Sequence, residues 1–360
     1  MESPQFPNIK FTAIWQSAED GKGWPFYNWL KRVFDPYISE HIYDGKHEIV
    51  MDNAIVFDCW IYSFDPQYYA RFKGMNAFLV HTGDEFYDLG VDRYVHFRGV
   101  FRMLWSSVFN PKHVMTVPLG SYIKEPPPSV TPVADRRYAW SFIGDAEKVS
   151  RPDMVRAFSS IEPHICFSST PVRGISFFGA APGKRRIPES DFYNILGDSV
   201  FAPSPMGNAS IESCRPYDAL ECGAIPIVER RLTLDYYKEL LGNHPLPTVS
   251  SWSEGRDFAN SHLNDPVKLN ALQATCMQWW ANYKLTLTKN VGNFLLERSH
   301  ATDDVVPLRS RLPHLPLWQY AELLRHHNAP AIYRRVSKQA ARLLKQRKWR
   351  VSTRPGVPPP

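Results

Sequence analysis

The sequence predicts an α/β protein with two doubly wound domains, and three observations indicate this fold class. Short apolar segments typical of buried strands alternate with segments whose apolar residues recur at helical spacing, which favours α/β units with parallel sheets. A length of 360 residues suggests two domains. Residues 124–136 contain four prolines, a composition typical of a stiff, extended linker.

These observations divide the chain into four parts. We expect a Rossmann-like domain at 1–123, the proline-rich linker at 124–136 and a second Rossmann-like domain at 137–310. Residues 311–360 are expected to form C-terminal helices and a basic tail that ends in prolines.

The individual elements follow from apolar runs and from the spacing of apolar residues. In the first part, strands are predicted at 8–15, 49–51, 54–57, 76–80 and 113–117, and helices at 24–43 and 101–109. In the second part, strands are predicted at 138–143, 199–202 and 224–228, and helices at 152–158, 190–196, 236–241 and 269–287.

A proline locates the helix that follows the loop around Gly207. Proline is tolerated only in the first turn of a helix, where its missing N–H is not needed. Pro216 therefore lies in the first turn, which makes Ser213 the expected N-cap and Gly223 the expected C-cap.

Arg215 is the informative residue of this helix start. It stands among unpaired N–H groups that carry partial positive charge, so a bound anion such as a phosphate would stabilise it. A solvated arginine, or one paired with nearby Glu212 or Asp218, explains the residue equally well.

Two more turns follow predicted strands and carry polar residues. His81, Asp84 and Glu85 surround a glycine directly after the strand that ends at Val80, where α/β sheets bind their ligands. An ordinary acidic turn is the alternative. Gly144 ends the strand at 138–143, and Arg151 stands at the start of the next helix, where it is either a second anion ligand or a surface arginine.

The net charge of +6 comes mostly from one end of the chain. No acidic residue follows Glu322, whereas ten lysines and arginines do. The rest of the chain is near neutral or slightly acidic, so the average charge says little about the active domain. We expect no nucleic-acid partner. The basic tail is compatible with an amphipathic helix on a membrane or a partner, although a solvated terminal helix is the simpler interpretation.

Cysteine and aspartate patterns argue against a bound metal. The five cysteines show no metal-ligand spacing, and no Asp-x-Asp motif occurs, so we expect no obligatory metal. Reduced thiols, together with the lack of a signal peptide or a run of 18 apolar residues, lead us to expect a cytoplasmic protein.

Three blocks of the chain resemble the exostosin-type glycosyltransferases, and most of all their two-domain xylosyltransferase-like members. One block covers 205–207 and 213–226, and it matches the family signature at Arg215, Asp218, Ala219, Gly223 and Pro226. The others are 137–144 with 150–152, and 81–85 with 94–98 and 105–106. The family usually has Glu where this chain has Asp218, whose side chain is one methylene shorter.

The resemblance implies a GT-B fold, in which two Rossmann-like domains face a cleft. It also implies transfer of a sugar, such as xylose, from a UDP-sugar to a hydroxyl of a glycan or glycoprotein, with inversion. A GDP-fucose-type fucosyltransferase and a non-catalytic glycan-binding protein are the alternatives. The donor-binding candidates are Gly144, Arg151, Gly207, Ser213, Arg215 and Asp218, with Asp218 on the ribose. The catalytic candidates are Glu85, Asp84 and His81, with one of the two carboxylates as the base.

Overall fold

The computed structural model describes most of the chain between residues 6 and 307. The described residues are 6–17, 26–59, 66–85, 91–125, 127, 129–146, 148–168, 188–207, 210–231, 234–302 and 307. The predicted C-terminal helices and basic tail at 311–360 lie outside these residues, as does the start of the helix predicted at 24–43.

The first part of the chain forms a sheet of six parallel strands. The strands are β1 (Phe11–Trp15), β2 (Ile38–Tyr43), β3 (Ala54–Cys59), β4 (Ala77–Thr82), β5 (Gly99–Arg102) and β6 (Val114–Thr116), in the spatial order β2-β1-β3-β4-β5-β6. Every residue of β4 is buried, because a central parallel strand is covered on both faces.

The second part forms a separate sheet of five parallel strands. These are β7 (Tyr138–Gly144), β8 (His164–Ser168), β9 (Ser199–Ser204), β10 (Ile225–Glu229) and β11 (Thr248–Val249), in the order β11-β10-β9-β7-β8. Pro226 is tolerated within β10 because β11 pairs only with Val228 and Glu229, beyond the proline.

Helices connect the strands. They are α1 (Tyr27–Phe34), α2 (Pro66–Ala70), α3 (Arg151–Phe158), α4 (Glu189–Gly197), α5 (Arg215–Glu221), α6 (Tyr236–Leu241), α7 (Trp252–Leu263) and α8 (Pro266–His300), with 3-10 turns at Asp35–Tyr37, Val91–His96 and Val133–Asp135. Two sheets of parallel strands with helical connections confirm the predicted α/β fold of the GT-B type. The domain limits at 123 and 137 stay predictions.

Three predicted elements are wrong, each for a local reason. The helix predicted at 24–43 stops at Phe34, because Pro36 cannot continue it, and the chain then extends as β2 to pair with β1. The helix predicted at 101–109 is instead the end of β5, where Phe101 pairs with Val80, followed by Leu104 with a φ of 68°. The strand predicted at 49–51 is a loop, since the amide of Ile49 donates to Asp44 Oδ2 at 2.8 Å.

Candidate functional site

A cavity of about 510 Å³ lies where the C-terminal ends of strands from both sheets meet. Loops after β4, β5 and β6, with the start of α1, form one wall, and loops after β7 and β9, with α4, form the other. The C-terminal edge of the strands is the usual ligand position in parallel α/β sheets. Its size suits a small molecule. The first wall contains Phe26, Gly83, Glu85, Leu104, Leu119 and Tyr122, and the second contains Ile143, Gly144, Asp145, Lys148, Arg151, Phe192, Tyr193, Gly207, Ser213, Cys214, Arg215 and Asp218.

Arg215 lies half-buried in the second wall, at the start of α5. Its guanidinium packs over the ring of Phe142, with Cζ 5.0 Å from the ring centroid. A Cβ atom on Gly144 would come within 2.5 Å of Arg215 Nη2, so the glycine leaves room for the guanidinium at the end of β7. Within the described chain, this guanidinium makes no hydrogen bond or ion pair, and its Nε is buried without a partner.

Arg151 lies beside Arg215 at the start of α3 and is almost fully buried. It donates to two backbone carbonyls, from Nη1 to Asp145 O at 2.8 Å and from Nη2 to Met206 O at 3.2 Å. Among the described residues no carboxylate lies within ion-pair distance of Arg151.

Burial disfavours the charged form of both arginines. It lowers the pKa of Arg151 to about 9, with the positive charge of Arg215 as the second cause. Burial likewise lowers the pKa of Arg215. The third cation of this wall, Lys148, is paired with Asp145 at 3.4 Å. A bound anion would offset the desolvation of the two arginines, so this wall is suited to bind one.

Ser213 lines the cavity, but it is not the N-cap of α5, so that prediction is wrong. The amides of Tyr217 and Asp218 both donate to the carbonyl of Cys214, at 3.1 and 3.0 Å, and the helix therefore begins at Arg215 with Cys214 as N-cap. The hydroxyl of Ser213 is instead buried, and none of the described residues forms a hydrogen bond with it.

The loop around Gly207 is folded tightly beside this helix start. The amide of Gly207 donates to Ser210 O at 2.8 Å, and a Cβ on Gly207 would come within 3.0 Å of Glu212 O. The same Cβ position is 3.5 Å from Glu85 Oε1. The carboxylate of the first wall therefore reaches the loop of the second wall.

Asp218 is buried at the cavity wall, with one oxygen already engaged. Its Oδ1 accepts from Ser121 Oγ at 2.7 Å and from the amide of Tyr122 at 2.9 Å. Burial raises the pKa of Asp218 to about 7. Only the remaining oxygen is available for a ligand.

The three candidates on the first wall differ in position. Glu85 lines the cavity. Asp84 and His81 are buried and do not line it: Asp84 forms an ion pair with Arg102 at 2.9 Å, and His81 Nδ1 is 2.5 Å from Tyr94 Oη. Burial, with Arg93 and Arg102 nearby, lowers the pKa of His81 well below its ordinary value, so its imidazole is neutral.

Sequence patterns overlooked several residues that line or support the site. Lys148 belongs to the same strand-to-helix turn as Gly144 and Arg151, which was a usable signal. Glu229 is the last residue of an apolar strand, and a polar residue at a strand end is the same kind of signal that indicated the 81–85 turn. Phe192 and Tyr193 of α4 reach the cavity although α4 lies outside the three recognised blocks of sequence.

The part of the chain that the structure describes contains no group of three or more His, Cys, Asp or Glu residues arranged to hold a metal ion. None of its described helices is long and apolar enough to span a bilayer.

Comparisons with known proteins identify related folds but no family. The chain is similar in structure to BGT of T4 phage, solved in complex with UDP and Mn²⁺, with a TM-score of 0.47 and 10% identity over 81% of this chain and 100% of that one. It is also similar to an alpha1,3-fucosyltransferase, with a TM-score of 0.45 and 13% identity over 83% of this chain and 93% of that one. No protein-family model matches the chain. No curated protein matches its sequence. The exostosin and xylosyltransferase resemblance therefore stays a hypothesis.

Proposed function

We propose that this protein is a glycosyltransferase that moves a sugar from a UDP-sugar to a hydroxyl of a glycan or glycoprotein acceptor, with inversion. The observation that carries the proposal is a pair of arginines, the buried Arg151 and the half-buried Arg215, which face a cleft without a carboxylate partner in the described chain. A nucleotide diphosphate is an anion of the right size and charge for this cavity.

Such a reaction needs a base and a stabilised leaving group. The acceptor oxygen attacks the anomeric carbon while its proton passes to a carboxylate, and the bond from that carbon to the diphosphate breaks. Glu85 is the base in this proposal, because it is the acidic residue of the first wall that lines the cavity. Arg215 and Arg151 neutralise the departing diphosphate, and the remaining oxygen of Asp218 accepts a hydrogen bond from the ribose.

The resemblance to the exostosin family supports xylose as the sugar in this proposal. No metal is needed in it, since two guanidinium groups supply the positive charge that a divalent ion would otherwise provide.

A nucleotide panel tests the proposal. We expect UDP and at least one UDP-sugar to raise the melting temperature, because a ligand bound only by the native state stabilises it by mass action. We also expect slow hydrolysis of that donor in the presence of EDTA. Selective binding of GDP and GDP-fucose would favour the fucosyltransferase alternative, and binding of glycans without any nucleotide would favour the glycan-binding alternative. A protein that binds no nucleotide would overturn the proposal.

A further inference from the structure

We propose that Glu229 is a positioning residue for the proposed diphosphate site. It fixes the loop after β7 relative to the loop after β9, so that Arg151 faces the diphosphate. Glu229 is the last residue of β10, and it does not line the cavity. The inference rests on the proposed nucleotide-diphosphate site and assigns to it a residue outside the three recognised blocks.

The carboxylate of Glu229 is buried and fully engaged. Oε1 accepts two short hydrogen bonds, from Ser150 Oγ at 2.6 Å and from the amide of Met206 at 2.6 Å. Oε2 forms an ion pair with Arg231 at 3.2 Å. Hydrogen bonds to an ionised acceptor are short and strong, and a buried carboxylate is stable only when it has such partners.

Both partners of Oε1 adjoin the proposed diphosphate site. Ser150 directly precedes Arg151, and Met206 directly precedes Gly207. Arg151 in turn donates to the carbonyl of Met206 from Nη2 at 3.2 Å and Nε at 3.4 Å. The contacts close a ring that runs from Glu229 through Met206 and Arg151 to Ser150 and back.

The sheet order explains why this carboxylate connects the two loops. β10 lies next to β9, which leads into the Met206 loop, and β9 lies next to β7, which leads into α3. A side chain at the C-terminal end of β10 can reach both neighbouring loops at once, because parallel strands end at the same edge. The negative charge of Glu229 also favours the charged form of the buried Arg151.

Substitutions at this position should affect the diphosphate end of a ligand selectively. Glu229→Ala removes the shared acceptor, and we expect it to weaken binding of UDP and of inorganic pyrophosphate by about tenfold or more, while uridine binding changes by less than about threefold. Glu229→Gln keeps an oxygen that can accept from Ser150 and Met206, and we expect it to restore most of the UDP affinity.

Calorimetric titration of the full chain with UDP, pyrophosphate and uridine, beside a melting curve for each variant, decides the question. If Glu229→Ala does not fold, Ser150→Ala replaces it, since this change removes one donor with minimal loss of volume, and a loss of UDP affinity of about threefold or more is expected. UDP binding within twofold of wild type in the folded variants, or an equal loss for UDP and uridine, would overturn the role of Glu229. A wild-type protein that binds neither UDP nor pyrophosphate would instead overturn the proposed function itself.

Discussion

Arg151 and Arg215 line the same cavity wall although 63 residues separate them in sequence. Each lies at the start of a helix behind a neighbouring strand of the second sheet, and each is desolvated without a carboxylate partner in the described chain. Hydrogen bonds to two backbone carbonyls orient the guanidinium of Arg151, and the guanidinium of Arg215 packs over the ring of Phe142. An anionic ligand would offset the desolvation of these two guanidinium groups.

Arg215→Ala should weaken UDP binding by about tenfold to a hundredfold, since a charge-assisted arginine–phosphate contact contributes roughly 1.5–3 kcal/mol. The fold should persist, because Arg215 makes no hydrogen bond within the described chain. Calorimetric titration with UDP measures the effect. Arg156→Ala, at an exposed arginine of α3 paired with Asp153, is the matched control and should bind UDP like the wild type. Equal affinity in both variants would show that Arg215 does not contact the nucleotide.

Glu85→Gln should lower turnover by about a hundredfold to ten-thousandfold while UDP affinity stays near that of the wild type, because a positioned base acts in the transition state.

Asp84→Asn should lower stability rather than turnover alone. It leaves the fully buried guanidinium of Arg102 without its ion-pair partner, and we expect a loss of about 3–5 kcal/mol in the free energy of unfolding. Kinetics and urea unfolding of both variants separate the two roles. Full turnover in Glu85→Gln would place the base elsewhere.

At the scale of elements, buried carboxylates around α5 join the two halves of the molecule. Glu212, just before the helix, accepts from the amide of Leu119 at 2.7 Å, from Tyr217 Oη at 2.8 Å and from Tyr236 Oη at 3.0 Å. Asp218 accepts from Ser121 and Tyr122. The segment that follows β6 is therefore hydrogen-bonded directly to α5, the helix that carries Arg215, and to the residues just before it.

Glu212 should make the stability depend on pH near neutrality. Burial raises its pKa to about 7 from an ordinary 4.5, so the folded protein holds a proton that the unfolded chain has already released. The stabilising contribution is complete below pH 4.5 and is lost as the pH rises to about 7, and the shift corresponds to roughly 3 kcal/mol.

Glu212→Gln removes this titration and keeps an oxygen that can accept from Leu119 and Tyr217. Relative to the wild type, we expect the variant to gain stability by up to about 3 kcal/mol between pH 5 and pH 8. Urea unfolding at several pH values measures the difference. Glu239→Gln, at an exposed residue of α6, is the control. A wild-type-to-variant difference that does not change with pH would contradict the assignment.

At the scale of the whole molecule, the helix α8 runs across both sheets. Near its start Gln273 Nε2 donates to Gly223 O at 2.8 Å, and in the middle Trp280 stacks on Trp29 of α1 with ring centroids 5.6 Å apart. Near its end Phe294 packs against Phe101 of β5 at 5.1 Å. The helix thus packs against elements of both halves of the molecule.

Gly292→Ala should destabilise the protein although alanine usually favours a helix. A Cβ at this position would overlap the buried ring of Tyr37, whose hydroxyl donates to Thr288 O at 2.8 Å. Overpacking of this kind costs about 1–3 kcal/mol. Gly197→Ala, at the end of α4 where a Cβ meets no atom within 4 Å, is the control and should be neutral or slightly stabilising. Melting temperatures compare the two, and a stabilised Gly292→Ala would show that α8 is not packed tightly here.

Much of the fold could be predicted from local patterns. The runs that became β1, β3, β4, β7, β9 and β10 are apolar enough to be recognised, and Pro216 located α5 to within its first turn. The secondary-structure predictions were wrong where the apolar spacing of a segment fits a helix but the segment forms a strand. Residues 38–43 and 101–102 fit helical spacing, yet each pairs with a neighbouring strand.

The sequence by itself determined the alternation of strands and helices, and the loops that follow the strands, because burial periodicity and turn chemistry are local properties of the chain. Only the tertiary structure decided that Asp84 pairs with Arg102 while Glu85 lines the cavity, that Arg151 lies beside Arg215, and that Glu229 joins their loops. Those contacts depend on the order of strands in each sheet and on how the two sheets face each other. Neither is encoded in the spacing of residues along one segment, since both result from packing between segments that are distant in sequence.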